Sequence, residues 1–156
     1  LIPFRDEKGE IFAYKGRAFG VELRQYITIK LDDGEKVFGL DRLNKNKTVY
    51  VVEGPIDSMF LDNAVATADA DLTKAEFDDS ILVFDNEPRS KEICRRIDKA
   101  INAGRQVCLW PESNPFKDIN DMILGGYTKQ NITTQINQNV FSGLEAKARF
   151  ANWKRV

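Results

Sequence analysis

The sequence predicts an α/β fold in which a Rossmann-like, mainly parallel sheet flanked by helices follows a small β-rich lobe. Three observations predict it. Val49–Val52 and Ser80–Phe84 are apolar runs rich in β-branched residues, the pattern of strands buried on both faces. Each run ends in acidic residues, and a helical pattern follows, the alternation from which parallel sheets are built. Residues 1–47 instead read as short strands between glycine-containing turns, as antiparallel pairs do.

Leu1–Tyr14 gives strand, turn at Gly9 and strand, and Tyr26–Lys30 is a further alternating strand closed by Asp32-Asp33-Gly34. Val37–Leu40 then leads through polar residues 44–47 into the central strand. Past that strand, Gly54 permits a sharp turn, and Pro55 carries the fixed φ suited to a first helical turn. Ile56, Met59 and Phe60 keep helical spacing, and Ala64–Ala68 suggests a short strand. A second helix is expected at about Thr73 to Asp78, with Thr73 as its N-cap. Arg89–Ala103 is a longer one: Ile93, Ile97 and Ile101 lie four apart, and Gly104 terminates it. Gln106–Trp110 is the next buried strand, stopped by Pro111, and a helix then runs to Leu124. Thr128 opens a helix with Ile132, Ile136 and Val140 inward, broken at Phe141-Ser142-Gly143. Leu144–Val156 forms another, with Phe150 and Trp153 packing back on the sheet. The expected units are residues 1–47, 48–126 and 127–156.

The candidate chemistry sits at the strand ends. Glu53 closes the first run, where open α/β sheets bind ligands, and Asp57 lies one helical turn on. Asp85 and Glu87 close the second run two residues apart, so in extended chain they project to one face. Carboxylates gathered this closely repel, and a divalent metal is the usual remedy. A single acid at a strand end is more often just solvated; two such motifs in succession are not. Asp118 and Asp121 stand near the start of a helix, where Asp121 reads equally as its cap, since carboxylates are common there.

Composition limits the alternatives. The 156 residues, 42% apolar, suffice for one real core, and no run approaches a membrane span. Opening on Leu1, the chain reads as a domain cut from a longer one, and it carries no visible secretory signal, consistent with the cytoplasm. Cys94 and Cys108 read as reduced packing thiols, too few for a structural zinc site. With no histidine, Ser-His and Cys-His mechanisms are excluded. The net charge of -1 hides a segregation: residues 48–88 carry ten acidic side chains and one basic, whereas residues 89–105 carry six basic and two acidic. An acidic centre flanked by basic segments suits metal ions surrounded by phosphate-binding groups.

Glu53-Gly54-Pro55-Ile56-Asp57 followed by Asp85-Asn86-Glu87 resembles the Toprim domain of primases, topoisomerases and some nucleases, with glutamate in place of the family's last aspartate. Upstream, Pro3-Phe4-Arg5-Asp6-Glu7-Lys8-Gly9, Ala13-Tyr14-Lys15-Gly16-Arg17, Gln25-Tyr26-Ile27-Thr28 and Val37-Phe38-Gly39-Leu40 resemble, in order and spacing, the segment that DNA primases of the bacterial and phage type carry before that core. Gln25 stands where those primases have lysine and Thr28 where they have asparagine, so either Arg24 supplies that charge or it lies elsewhere.

The resemblance implies template-directed synthesis of RNA primers by nucleotidyl transfer. It implies Glu53, Asp85 and Glu87 as ligands of Mg²⁺ or Mn²⁺, two ions in all, with Asp57 and Asp118 beside them. Arg17, Arg24, Lys30, Arg89, Lys91 and Lys117 become candidates for nucleotide or nucleic-acid phosphates. The implied partners are single-stranded DNA, ribonucleoside triphosphates, the RNA primer and a replicative helicase. The rivals are a Toprim nuclease or topoisomerase-type cleavage core, and a non-catalytic module that binds DNA or a helicase.

Overall fold

In the computed structural model, residues 1–17, 26–31, 36–67, 72–74, 77 and 79–156 are described, without the side chains of Arg17, Tyr26 and Lys74. Two sheets form. β1 (Ile2–Arg5), β2 (Ile11–Arg17) and β3 (Tyr26–Lys30) make an antiparallel sheet in that order. The Asp6–Gly9 motif explains its first turn. Asp6 Oδ1 accepts the amides of Lys8 at 2.9 Å and Glu10 at 2.8 Å, and Gly9 takes a φ of 84° that favours glycine.

The second sheet has six strands. β5 (Tyr50–Val52), β6 (Ala64–Thr67), β7 (Ile81–Val83) and β8 (Gln106–Cys108) run parallel. β4 (Val37–Phe38) and β9 (Val140–Phe141) close its two edges antiparallel, in the order β4-β6-β5-β7-β8-β9. The mainly parallel sheet and the separate antiparallel one agree with the expected fold class.

Alternation along the strands splits the core between two faces. Tyr50, Val52, Ile81 and Val83 face one side. There they meet Met122 of α3 (Ile119–Leu124), Ile132 and Ile136 of α4 (Lys129–Gln138), and Phe4 and Phe12 of the small sheet. Val51, Leu82 and Val107 face the other side. They meet Ile93, Ile97 and Ile101 of α2 (Lys91–Asn102) and Phe150 of α5 (Gly143–Trp153), with Trp153 stacked on Phe150. Phe4, 1% exposed, meets the Phe38 ring edge-on at 5.4 Å and so ties the small sheet to β4. Both cysteines are free and buried, as expected of packing thiols.

Three local expectations need correction. Val37–Phe38 joins the main sheet, because β6 would otherwise expose its outer backbone groups. Val140 is not the last inward position of a helix: α4 stops at Gln138, and Val140 pairs with Cys108 at the far edge. Of the helix expected over Thr73 to Asp78, positions 75, 76 and 78 lie outside the described residues, and Thr73 sits inside a 3₁₀ turn at Leu72–Lys74 instead of capping a helix. The remaining differences are small: Ser90 caps α2 and accepts from Ile93 N, one residue inside the expected start.

Candidate active site

The chain goes from β5 to β6 on one side and then returns to β7 on the other, so the strand order reverses between β5 and β7. That reversal opens a crevice beyond the carboxyl ends of these strands. Glu53 leaves β5 there, and Asp85 follows Phe84 at the end of β7.

Gly54 lets the backbone turn with the Asp57 carboxylate against it; a Cβ at this position would collide with that carboxylate. Pro55 then opens α1 (Pro55–Ser58), a single turn that presents Asp57. Asp57 Oδ1 accepts the Asn120 amide at 2.8 Å, and Asp118 caps α3 by accepting the Asp121 amide at 2.8 Å. Glu53, Asp57, Asp85 and Asp118 thus line one cleft, together with Trp110 and Ile119. Asp118 is the capping carboxylate, and Asp121 lies in the first helical turn.

Burial sets the electrostatics. It pushes the Asp85 carboxyl up to about 7, with the Glu53 and Asp57 charges adding to the shift and Lys117 opposing it. Burial likewise raises Asp57 to about 6, against the hydrogen bond from Asn120. Glu53 is raised by burial, against the Asp85 N–H and the Arg96 guanidinium. Burial opposes the charge of Lys117, but the Glu87, Asp85 and Asp118 carboxylates outweigh it and raise the pKa.

Each acid is partnered within the protein. Glu53 Oε1 accepts Asp85 N at 3.3 Å, and Oε2 meets Arg96 Nη1 at 3.2 Å. Arg96 also pairs with Glu92 one turn earlier on α2. Lys117 Nζ lies 3.9 Å from Asp85 Oδ2 and 3.7 Å from Glu87 Oε2. The expected convergence of Glu53, Asp85 and Glu87 therefore takes another form. Among the described residues, no three of these carboxylates stand as a ready metal-ligand cluster, and Arg96 and Lys117 divide the charge between them. The donor chemistry still suits a hard divalent cation. All the acids offer oxygen, and the raised carboxyl groups would be relieved by added positive charge.

The basic candidates are dispersed. Lys117 reaches the acids. Arg89 and Lys91 are exposed around the start of α2, just beyond Glu87, and Lys30 is exposed on β3 of the small sheet. Arg17 ends β2, opposite Tyr26, whereas Arg24 lies outside the described residues. Sequence reasoning missed three residues. One is Arg96, whose side chain holds Glu53; its position flanking the Ile93–Ile97 face was the available signal. Trp110, 3% exposed, donates Nε1 to Phe84 O at 2.8 Å and fixes the end of β7 beneath Asp85. Asn86 was passed over as the middle of the acidic motif, although its side chain bonds two carbonyl oxygens of the neighbouring loop. Nothing in the local spacing signals those contacts.

No family model matches the chain. It is 37% identical over 164 residues to the DNA primase of Enterobacteria phage T4, covering 100% of this chain and 47% of that protein. The chain thus spans about half the length of this curated relative. Several solved structures share its fold, among them the following two. The primase fragment of the bacteriophage T7 primase-helicase protein has a TM-score of 0.62 at 24% identity, covering 86% of this chain and 60% of that one. The DnaG primase catalytic domain bound to ssDNA has a TM-score of 0.60 at 17% identity, covering 96% and 60% respectively.

Proposed function

We propose that this chain, homologous along its whole length to a phage DNA primase, is the catalytic core of such an enzyme and makes short RNA primers on single-stranded DNA. The observation that carries the reading is the crevice at the strand-order reversal, where Glu53, Asp57, Asp85 and Asp118 line one cleft. Residues 48–126 carry the acids of the catalytic unit, the small sheet of β1–β3 is the lobe that faces nucleotide and template, and residues 127–156 add helical support and the edge strand β9.

Nucleotidyl transfer asks little covalent chemistry of a protein. A 3′-hydroxyl oxygen bonds to the α-phosphorus, the bond to pyrophosphate breaks, and the hydroxyl proton is released. Glu53, Asp85 and Glu87, with Asp57 and Asp118 beside them, would hold Mg²⁺ or Mn²⁺, two ions in all. Such ions, when bound, favour the alkoxide and neutralise the leaving group. The chain's own residues bind and orient. Lys117, held between Asp85 and Glu87, is placed to turn to nucleotide phosphates once those acids carry another cation. Arg17, Arg24, Lys30, Arg89 and Lys91 meet phosphates of nucleotide, template or primer. The ssDNA on the DnaG catalytic domain supports a template of that kind here. A replicative helicase is the expected partner. Among the described residues, no helix is long and apolar enough to cross a membrane.

The test is incubation with single-stranded template, labelled ribonucleoside triphosphates and Mg²⁺. Short RNA products are expected. Shortened template without primers would overturn the assignment in favour of a nuclease.

A further inference from the structure

The loops that follow β7 and β8 both reach the cleft, and they leave from neighbouring strands. One carries Asp85 and Glu87, the other Lys117 and Asp118. Loops of this kind move independently unless something fastens them. Here Asn86 does so, beside the looser Lys117 ion pairs and the Trp110 bond to Phe84 O. Asn86 Nδ2 donates to Asn114 O and to Phe116 O, both at 3.0 Å. Its backbone N–H donates to Lys117 O at 2.6 Å. Both donors of one amide thus meet carbonyl groups two residues apart, and the backbone bond extends the pairing one residue further.

The receiving loop is itself braced. Asn114, 5% exposed, accepts the Phe116 amide on Oδ1 at 3.1 Å. The Phe116 ring occupies the space that a Cβ at Gly125 would need, and it meets Tyr127 edge-on at 5.4 Å. Phe116 immediately precedes Lys117. The backbone that sets the reach of Lys117 is therefore fixed on one side by packing and on the other by Asn86.

We infer that Asn86 is a positioning residue that holds Lys117 and Asp118 in register with Asp85 and Glu87. This inference rests on the proposed nucleotidyl-transfer role of those four residues. Asn86 itself need touch neither nucleotide nor metal; it acts through the Lys117 loop. An aspartate in its place would turn carboxylate oxygen toward two carbonyl oxygens and part the loops, although its shape is almost unchanged.

Two measurements test this. The first is amide hydrogen exchange of the protein without nucleotide. Asn86→Ala should speed exchange at positions 86 and 116 by about tenfold or more, since the local opening becomes easier while the global fold holds. Unchanged protection overturns the inference. The second is a double-mutant cycle with Lys117→Ala, read in primer synthesis. Asn86→Ala should raise the nucleotide KM about tenfold, and Asn86→Asp more, with Tm moved by only a few degrees. In the Lys117→Ala background, the same change should cost less than about threefold. Costs that multiply instead mean that Asn86 acts only on stability, and they overturn the inference. If Asn86→Ala does not fold, Asn86→Ser, which keeps one donor, carries both comparisons. A parent chain that makes no primers refutes the proposed function alone, because the exchange measurement still decides whether the two loops are fastened.

Discussion

The carboxyl edge of the main sheet and the three-stranded sheet differ in how they hold charge. At the edge, acids are half-buried, close together and individually partnered, and Asp85 is pushed up to about 7. In the small sheet, β3 exposes Ile27, Thr28, Ile29 and Lys30, with Ile29 52% exposed. One region carries electrostatic strain inside a rigid frame. The other offers an open surface whose fit depends on what it meets. The contrast suggests a division of labour: the edge supplies preorganised charge, and the small sheet supplies contacts that form on binding.

The sharpest way to break this comparison is Asp85→Asn. It removes one charge from the edge at nearly constant shape. Primer synthesis should fall on the order of a thousandfold, the scale of losing a preorganised charge-stabilising group. Without metal the variant should be at least as stable as the parent, and added Mn²⁺ should raise its Tm little. A variant that loses stability yet keeps the full metal-induced rise would make Asp85 a structural acid.

A pH series sharpens the same point. The Asp85 pKa is higher in the folded protein, about 7, than its ordinary 3.8, so the folded state keeps a proton that the unfolded chain releases. The associated stability is fully present below the ordinary value and is lost as pH rises through the folded one. Asp57 acts in the same direction between 3.8 and about 6. Metal-free parent should therefore lose Tm relative to Asp85→Asn as pH goes from about 4 to about 7, by several degrees. Parallel curves would mean that the acid cluster is not strained.

The small sheet gives the smallest expected effect. If Arg17 meets a nucleotide phosphate, Arg17→Ala should raise KM about tenfold, about 1.4 kcal/mol, with the Tm unchanged. Equal KM and equal product length would remove that sheet from nucleotide binding.

The strand ends were legible because apolar runs terminated by acids leave few other readings. Tyr50–Val52 and Ile81–Val83 fall within the expected strands, and Glu53 and Asp85 leave them at the crevice. Val37–Phe38 and Val140–Phe141 were not legible as main-sheet strands, since two residues carry no period and their pairing depends on distant partners. Arg96 was missed because an arginine beside an apolar helix face looks solvated until the neighbouring strand end is known. Asn86 was missed for a similar reason: its partners lie 28 and 30 residues away. Asp118 was expected near the site, but its capping bond to Asp121 became apparent only from helix geometry.

The two-residue strands at the borders of the main sheet bear on how copies of this chain behave when crowded. A long bare edge invites another chain to add a strand and begin aggregation. Here the four parallel strands are bordered by β4 and β9, each too short to offer more than a brief row of free backbone groups. Crowded copies can therefore stand side by side without the main sheet of one recruiting that of the next.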